Sequence, residues 1–230
     1  MYMHSFHLLS LLLPSFSIAT SYDRVIAFGD SISDNGNVFQ MSAGFMPDPS
    51  EYKEGRFSDG PTWVEYLAQG LHANLTDLAY GGATTNTDMY PDSVGAMVPG
   101  CIQQAESFNK TFARSKASLN STLLTVVFQG NDFFSPSATA QSYMDNMDRC
   151  LRLMLKMGFH DVLIGVSNAP ELTPGFKLSP PELKSSFGKN TALVQEMWKG
   201  ELQSLKKDFS NINLYTMDFR SKANLNPTNQ

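Results

Sequence analysis

Short apolar runs recur along the chain at 25–28, 75–80, 123–128, 161–166 and 212–216. They are rich in β-branched and aromatic residues, and most end in glycine or small polar residues. Runs of this length and composition predict strands rather than helices. The pattern therefore predicts five strands, of which the run at 123–128 is the most apolar.

Longer stretches between these runs carry apolar residues at helical spacing. Asp59 and Pro61 are expected to begin one such helix, as its cap and in its first turn, and Gly158 to follow the end of another. Because strand and helix alternate, we expect a parallel sheet joined by right-handed crossovers. The predicted helices cover 61–71, 98–116, 138–157 and 182–209.

The composition is that of one globular α/β domain. The chain has 230 residues, of which 42% are hydrophobic and 17% charged, and its net charge is −5. This argues against disorder, and the absence of any basic run argues against a nucleic-acid partner.

Three polar loops follow the first three strands, and they contain Ser31, Gly82 and Asn131. The carboxyl ends of parallel strands lie at one edge of the sheet, so these loops are expected to converge there. Each has an ordinary structural explanation as well. Ser31 can belong to a capped turn, Gly82 to a left-handed turn, and Asn131 with Asp132 can cap the next helix.

The sequences of these loops resemble the signature blocks of the GDSL esterases and lipases, the SGNH hydrolases. The matching stretches are 28–34, 55–63, 77–83 and 129–132, with Ile32 in a leucine position, Asp77 in an asparagine position and Gln129 in a glycine position. The resemblance implies a three-layer α/β/α sandwich with five parallel strands ordered 2-1-3-4-5, as in flavodoxin-like sheets. It also implies that Ser31 is the acylated nucleophile and that the oxyanion donors are Ser31 N–H, Gly82 N–H and the Asn131 amide.

The reaction implied is ester hydrolysis through an acyl-enzyme. The expected substrates are carbohydrate acetyl esters, short-chain esters or lipids, with loops 39–54 and 168–181 shaping the pocket. We expect no cofactor, no metal, no nucleic acid, no transmembrane span and a monomer. The alternatives are a non-catalytic secreted module that binds an ester or a glycan, and a structural glycoprotein for which these blocks only specify the fold.

The N-terminus indicates export. An apolar run followed by small residues predicts a signal peptide over 1–19, cleaved after Ala19, with a hydrolase domain over 20–230; a buried N-terminal helix is the alternative. Sequons at Asn74, Asn109 and Asn120 agree with a secreted, extracellular glycoprotein. In that setting Cys101 and Cys150 are predicted to form a disulfide, the alternative being two buried thiols.

One expected block is missing. The family supplies its base from an Asp-x-x-His block beyond the fifth strand, but no Asp stands three residues before any of the four histidines and none follows Asp218. We therefore expect a domain that ends before its last helix, with little esterase turnover. Apolar surface should be exposed beside the fifth strand, which predicts poor solubility. A base from another chain is the alternative.

Overall fold

A five-stranded parallel sheet forms the centre of the protein. The computed structural model describes residues 21–219 except 92, 116–117, 168–169, 171–175 and 177. The strand order is β2-β1-β3-β4-β5, and every pairing is parallel, which confirms the predicted order. The strands are β1 (Arg24–Gly29), β2 (Asn74–Asp77), β3 (Thr122–Val127), β4 (Asp161–Ser167) and β5 (Asn213–Asp218).

Helices cover both faces of the sheet, which makes three layers. Side chains alternate along β1, so Ile26 and Phe28 enter the larger core, while Val25 and Ala27 pack against α2. The core on the Ile26 side is closed by α3, α4 and α5. The helices are α1 (Asn37–Met41), α2 (Trp63–Leu71), α3 (Cys101–Ser115), α4 (Ala140–Lys156) and α5 (Pro181–Asp208).

The second strand is shorter than its apolar run predicted. It ends at Asp77, although the N–H groups of Leu78 and Tyr80 still donate to the carbonyls of Ala27 and Gly29. Residues 78–80 therefore stay hydrogen-bonded alongside β1 without forming a regular strand. The predicted loop 39–54 is also partly different, because the single-turn helix α1 overlaps its start.

The start of α2 was predicted wrongly. Its N-cap is Thr62 rather than Asp59, and Pro61 lies before the helix rather than in its first turn. Thr62 and Glu65 form a capping box, in which the Glu65 carboxylate accepts from the Thr62 N–H at 2.7 Å. Arg56 donates from Nε and Nη2 to the two oxygens of the same carboxylate, both at 2.8 Å. The cap therefore also anchors the preceding loop. Gly158 follows α4 with φ +101°, as predicted.

A disulfide joins Cys101, the first residue of α3, to Cys150 in α4, as predicted. Their Cα atoms are 5.9 Å apart, and both residues are fully buried. The bond links two neighbouring helices on the same face of the sheet.

The opposite face carries an open apolar groove of about 290 Å³ beside β5. Its position agrees with the expected apolar surface at the fifth strand, while the effect on solubility stays a prediction. The groove is lined by Tyr22, Leu67, Leu71, Leu123, Leu163 and Tyr215.

Within the described residues, no helix combines the length and the apolar character needed to span a bilayer. The predicted signal peptide over 1–19 lies outside the described residues.

We expect Cys101→Ala and Cys150→Ala each to lose most of the stability that the double variant loses, because either change alone removes the bond. Closing a loop across 49 residues restricts the unfolded chain by about 4 kcal/mol in the chain-entropy estimate. Urea unfolding measures the loss. A wild-type protein that is equally stable with and without reductant would contradict this account.

Candidate active site

Three loops at the carboxyl edge of the sheet form the candidate active site. Ser31 follows β1, Gly82 follows β2 and Asn131 follows β3. Because β2, β1 and β3 are neighbours, with strands about 4.8 Å apart, the loops that leave them lie side by side. The sequence predicted this convergence from the order of the elements alone.

The Asp34 carboxylate holds the first loop against the second. One of its oxygens, Oδ1, accepts from the N–H groups of Gly36 and Asn37 at 2.8 and 2.6 Å, which closes the turn after Ser31. The other oxygen accepts from the Gly81 N–H at 2.8 Å. Since Gly81 precedes Gly82, this bond fixes the predicted oxyanion loop relative to the predicted nucleophile.

The Asp30 carboxylate holds the first loop against the third. Its Oδ1 accepts from the Ile32 N–H at 3.2 Å, and its Oδ2 accepts from the Gln129 N–H at 2.6 Å. Asp30 is fully buried. Ser31 is therefore flanked by a residue whose carboxylate reaches the loop that carries Asn131.

A third buried carboxylate, that of Asp132, links the loops after β3 and β2. Both of its oxygens lie 3.1 Å from the Thr85 backbone nitrogen, and the Thr85 hydroxyl also donates to it. Each of the three loops is thus bonded to the other two.

Burial gives several of these carboxyl groups unusual pKa values. Desolvation raises the pKa of Asp30 to about 7 and that of Asp132 to about 6. Asp77, which stands where the family has asparagine, has its pKa raised to about 8, again chiefly by burial. Its Oδ2 accepts from the Asn35 N–H at 3.1 Å, so the substituted residue still supports the first loop.

Two backbone donors at the site have no partner. Within the described residues, the N–H groups of Ser31 and Gly82 form no hydrogen bond, whereas those of Ile32, Gly81 and Ala83 all do. The Ser31 hydroxyl is also without a partner there, and Ser31 is half-buried. Unused donors beside an unused hydroxyl are what an oxyanion hole requires.

The Asn131 side chain reaches across to the second loop. Its Nδ2 donates to the Ala83 carbonyl at 2.9 Å, and lies 3.4 Å from Asp30 Oδ2. One of its two amide hydrogens therefore anchors the side chain, while the long contact leaves the other weakly engaged. Asn131 is no helix N-cap, because it is the first residue of a 3₁₀ helix (Asn131–Phe134) whose N-cap is Gly130, and the N-cap of α4 is Thr139.

Glycines permit the close approach of these loops. Gly82 and Gly130 have φ of +83° and +88°, values that favour glycine. A Cβ on Gly81 would lie 2.1 Å from the Phe57 ring. Although Gln129 occupies the family's glycine position, Gly130 supplies the left-handed conformation just before Asn131.

Ser31 and Asn131 open into a shared cavity of about 430 Å³. Gly82 is not among its lining residues, but the carbonyl of the next residue, Ala83, accepts from Asn131, which does line the cavity. Most of the other lining residues are aromatic or apolar: Tyr52, Phe57, Phe134, Pro170, Phe176 and Phe187, together with Gln129.

Both described histidines lie far from this cavity. His72 caps the end of α2 just before β2, and His160 immediately precedes β4, where its Nδ1 lies 3.0 Å from the Asn211 carbonyl. Both are at the amino ends of strands, about 20 Å from the opposite edge for a six-residue strand. Neither can exchange a proton with Ser31 in this arrangement.

Sequence reasoning missed the supporting role of the aspartates. Asp30, Asp34 and Asp132 stand inside the signature blocks, but their value lies in bonds to residues 47 to 99 positions away. The available signal was that three acidic residues closely follow apolar strands, where a buried carboxylate needs N–H partners.

The family model for the GDSL-like lipase/acylhydrolase domain matches residues 25–230. The chain is 27% identical over 194 residues to thermolabile hemolysin of Vibrio parahaemolyticus, covering 84% of this chain and 45% of the relative. It is 38% identical over 65 residues to phosphatidylcholine-sterol acyltransferase of Aeromonas hydrophila, covering 28% of this chain and 19% of the relative. The chain thus spans less than half the length of both relatives.

Similar solved structures include a lipolytic G-D-S-L family protein from Veillonella parvula, with 15% identity and a TM-score of 0.48. That match covers 86% of this chain and 78% of the other. Phospholipase A1 from Streptomyces albidoflavus matches with 12% identity and a TM-score of 0.45, over 87% and 80% of the two chains.

We expect the free energy of unfolding to fall as the pH rises from about 5 to about 8. The carboxyls of Asp30, Asp77 and Asp132 bind a proton more tightly in the folded state than at their ordinary pKa of 3.8. This contribution to stability is complete below that ordinary value and is lost as the pH rises through the folded pKa values of about 6 to 8. Urea unfolding at pH 5 and pH 8 measures it.

Asp77→Asn removes one of these titrations and should flatten the pH dependence by up to about 1.4 kcal/mol per pH unit. Asp48→Asn is the control, because hydrogen bonds from Ser50 lower the pKa of exposed Asp48 and keep it ionised throughout. Equal slopes for the wild type and Asp77→Asn would contradict the assignment.

Proposed function

Because the chain belongs to the GDSL-like lipase/acylhydrolase family, we propose that it is a serine ester hydrolase with Ser31 as its nucleophile. The observation that carries the proposal is the set of unused groups at the sheet edge. The Ser31 hydroxyl and the Ser31 and Gly82 N–H groups have no partner within the described residues, and Ser31 opens into a cavity. Ser31 and Gly82 are only partly buried, so a ligand in the cavity can pair with these groups.

In the proposed reaction, Ser31 Oγ attacks the ester carbonyl carbon, and the carbonyl oxygen becomes an oxyanion. The N–H groups of Ser31 and Gly82 and the Asn131 amide donate to that oxygen, each contributing about 3 kcal/mol to the transition state. The alcohol then leaves with a proton, which forms an acyl-enzyme. Water attacks the acyl group in the same way and releases the acid and Ser31.

The proton of Ser31 needs an acceptor, because a hydroxyl is a poor nucleophile at neutral pH. His72 and His160 lie at the other edge of the sheet. We propose that the base is not among the described residues, so that these residues alone provide the nucleophile and the oxyanion hole but turn over slowly.

The lining of the cavity favours an apolar acyl or alcohol group. Phe134, Phe176 and Phe187 form a cluster with ring centroids 4.9 to 5.8 Å apart, and Tyr52 and Phe57 pack at 5.9 Å. These contacts give a firm apolar wall near Ser31. Short-chain esters, acetylated carbohydrates and lipids remain the proposed substrate classes.

We also propose that the protein is secreted. The sequon residues Asn74, Asn109 and Asn120 are all exposed, as glycan attachment requires. The Cys101–Cys150 disulfide fits an oxidising compartment.

A binding protein without turnover is the second candidate, and the distance of His72 and His160 from Ser31 favours it. Such a protein would keep the cavity and hold an ester or a glycan through the same donors. It differs from an enzyme in the reactivity of Ser31, which two experiments measure.

We expect a fluorophosphonate probe to label the wild-type protein at Ser31, since the oxyanion donors also stabilise attack at phosphorus. Ser31→Ala should abolish labelling. The matched control is Ser33→Ala, because the Ser33 hydroxyl is buried and accepts from Trp63 Nε1 at 3.0 Å instead of facing the cavity. Mass spectrometry of the labelled peptide identifies the site, and an unlabelled wild type that still binds an ester would favour the binding protein.

We expect imidazole at roughly 0.1 M to accelerate p-nitrophenyl acetate hydrolysis by the wild-type protein, because it can act as the missing general base. The Ser31→Ala protein gives the background, since imidazole itself cleaves this ester. His72→Ala and His160→Ala should behave like the wild type. Full Ser31-dependent activity without imidazole would show that the protein already supplies a base to Ser31.

A further inference from the structure

The exposed apolar side chains of this protein are concentrated around the candidate active site. We define the apolar rim as Phe45, Met46, Met97, Phe134 and Leu178, which are 79%, 54%, 88%, 41% and 98% exposed. All five belong to segments that follow the carboxyl ends of strands. Phe45 and Met46 come after β1, Met97 after β2, Phe134 after β3 and Leu178 after β4.

One member of the rim lines the site, and two others lie close in the chain to residues beside it. Phe134 lines the cavity that contains Ser31. Leu178 lies two residues after Phe176, which also lines it. Met97 lies two residues after Gly95, where an added Cβ would be 2.1 Å from the Gly82 carbonyl oxygen.

Phe45 and Met46 are held outward by the fold of their loop. The Ser42 hydroxyl accepts from the Met46 N–H at 2.8 Å, and a Cβ added to Gly44 would lie 3.5 Å from the Phe39 ring. The same loop returns to the site at Tyr52, which lines the cavity. The exposed pair therefore belongs to an ordered loop that borders the cavity.

The opposite edge of the sheet has a different character. Its described connections, 72–73, 118–121, 157–160 and 209–212, contain no large apolar side chain that is exposed. Exposed sequon residues lie there instead, with Asn74 at the start of β2 and Asn120 just before β3. The two edges thus differ in the apolar side chains that they expose, as a lipid-facing surface differs from a water-facing one.

We propose that the apolar rim docks the protein on a zwitterionic phospholipid surface, with the cavity facing the lipid. The proposal rests on the function proposed above, and it assigns lipid esters as the substrate class of that site. Phe, Met and Leu bring no hydrogen-bonding group for a sugar, whereas they partition readily into the interface of a bilayer.

The charge of the loops that carry the apolar rim favours one kind of lipid headgroup over another. Asp48, Glu51, Glu54 and Asp88 are exposed there, whereas Lys53 is the one exposed base in the loop 42–60. Acidic side chains beside the apolar rim are repelled by anionic lipids, which attract basic segments. Binding should therefore depend on apolar burial and should persist at high salt.

Vesicles of ether-linked phosphatidylcholine test the surface, because they contain no ester for the protein to cleave. We expect the wild-type protein to float with these vesicles in 0.1 M and in 1 M salt. Phe45→Ser, Met97→Ser and Leu178→Ser should each weaken partition roughly tenfold, as the loss of one inserted apolar side chain predicts. All three side chains are exposed, so urea unfolding should be unchanged.

Leu193→Ser is the matched control. Leu193 is 50% exposed, but it lies twelve residues after the first residue of α5, about 18 Å along the helix from the rim. Equal binding by Leu178→Ser and Leu193→Ser, binding that disappears in 1 M salt, or no binding by the wild type would overturn the proposal.

Labelling of Ser31 in the same preparations separates the two proposals. If Ser31 reacts with fluorophosphonate but the protein does not bind vesicles, the docking surface is wrong and the hydrolase stands. If the vesicles bind through the rim but Ser31 is unreactive, the lipid surface stands and the hydrolase is wrong.

Discussion

The candidate active site depends on buried carboxylates that accept hydrogen bonds from the backbone of neighbouring loops. A loop that leaves a parallel strand has lost its ladder partners, so its N–H groups need other acceptors. Asp34 provides one for Gly81, Asp30 for Gln129 and Asp132 for Thr85. These bonds determine where the three loops lie relative to one another.

This arrangement carries an electrostatic cost that the fold balances locally. Desolvation disfavours the charged form of Asp30 and Asp132, while the hydrogen bonds they accept favour it. The result is carboxyl groups that titrate near neutral pH. Asp30 accepts from the N–H of Ile32 and Asp34 from that of Gly81, whereas the N–H groups of Ser31 and Gly82 form no hydrogen bond within the described residues. The proposed oxyanion hole would be preorganised in this way, because its donors would be fixed before a substrate arrives.

The molecule is also polarised along the strand direction. The carboxyl edge of the sheet carries the cavity and the apolar rim, while the amino edge carries His72, His160 and two of the three exposed sequon residues. Parallel strands cause this separation, since every loop after a strand is at one edge and every loop before a strand is at the other. The aromatic cavity and the rim follow from the same topology, and the remote histidines follow from it too.

The alternation of apolar runs and helical stretches predicted a parallel sheet, because alternation permits few topologies, while the family resemblance supplied the strand order 2-1-3-4-5. The same order predicted that the loops of Ser31 and Asn131 meet. Local detail was less accessible: the cap of α2 moved from Asp59 to Thr62 because Glu65 could complete a capping box there. Tertiary structure alone decided which N–H groups stay unused at the site and which exposed apolar side chains surround it. Both depend on contacts between residues far apart in the chain, which no local pattern encodes.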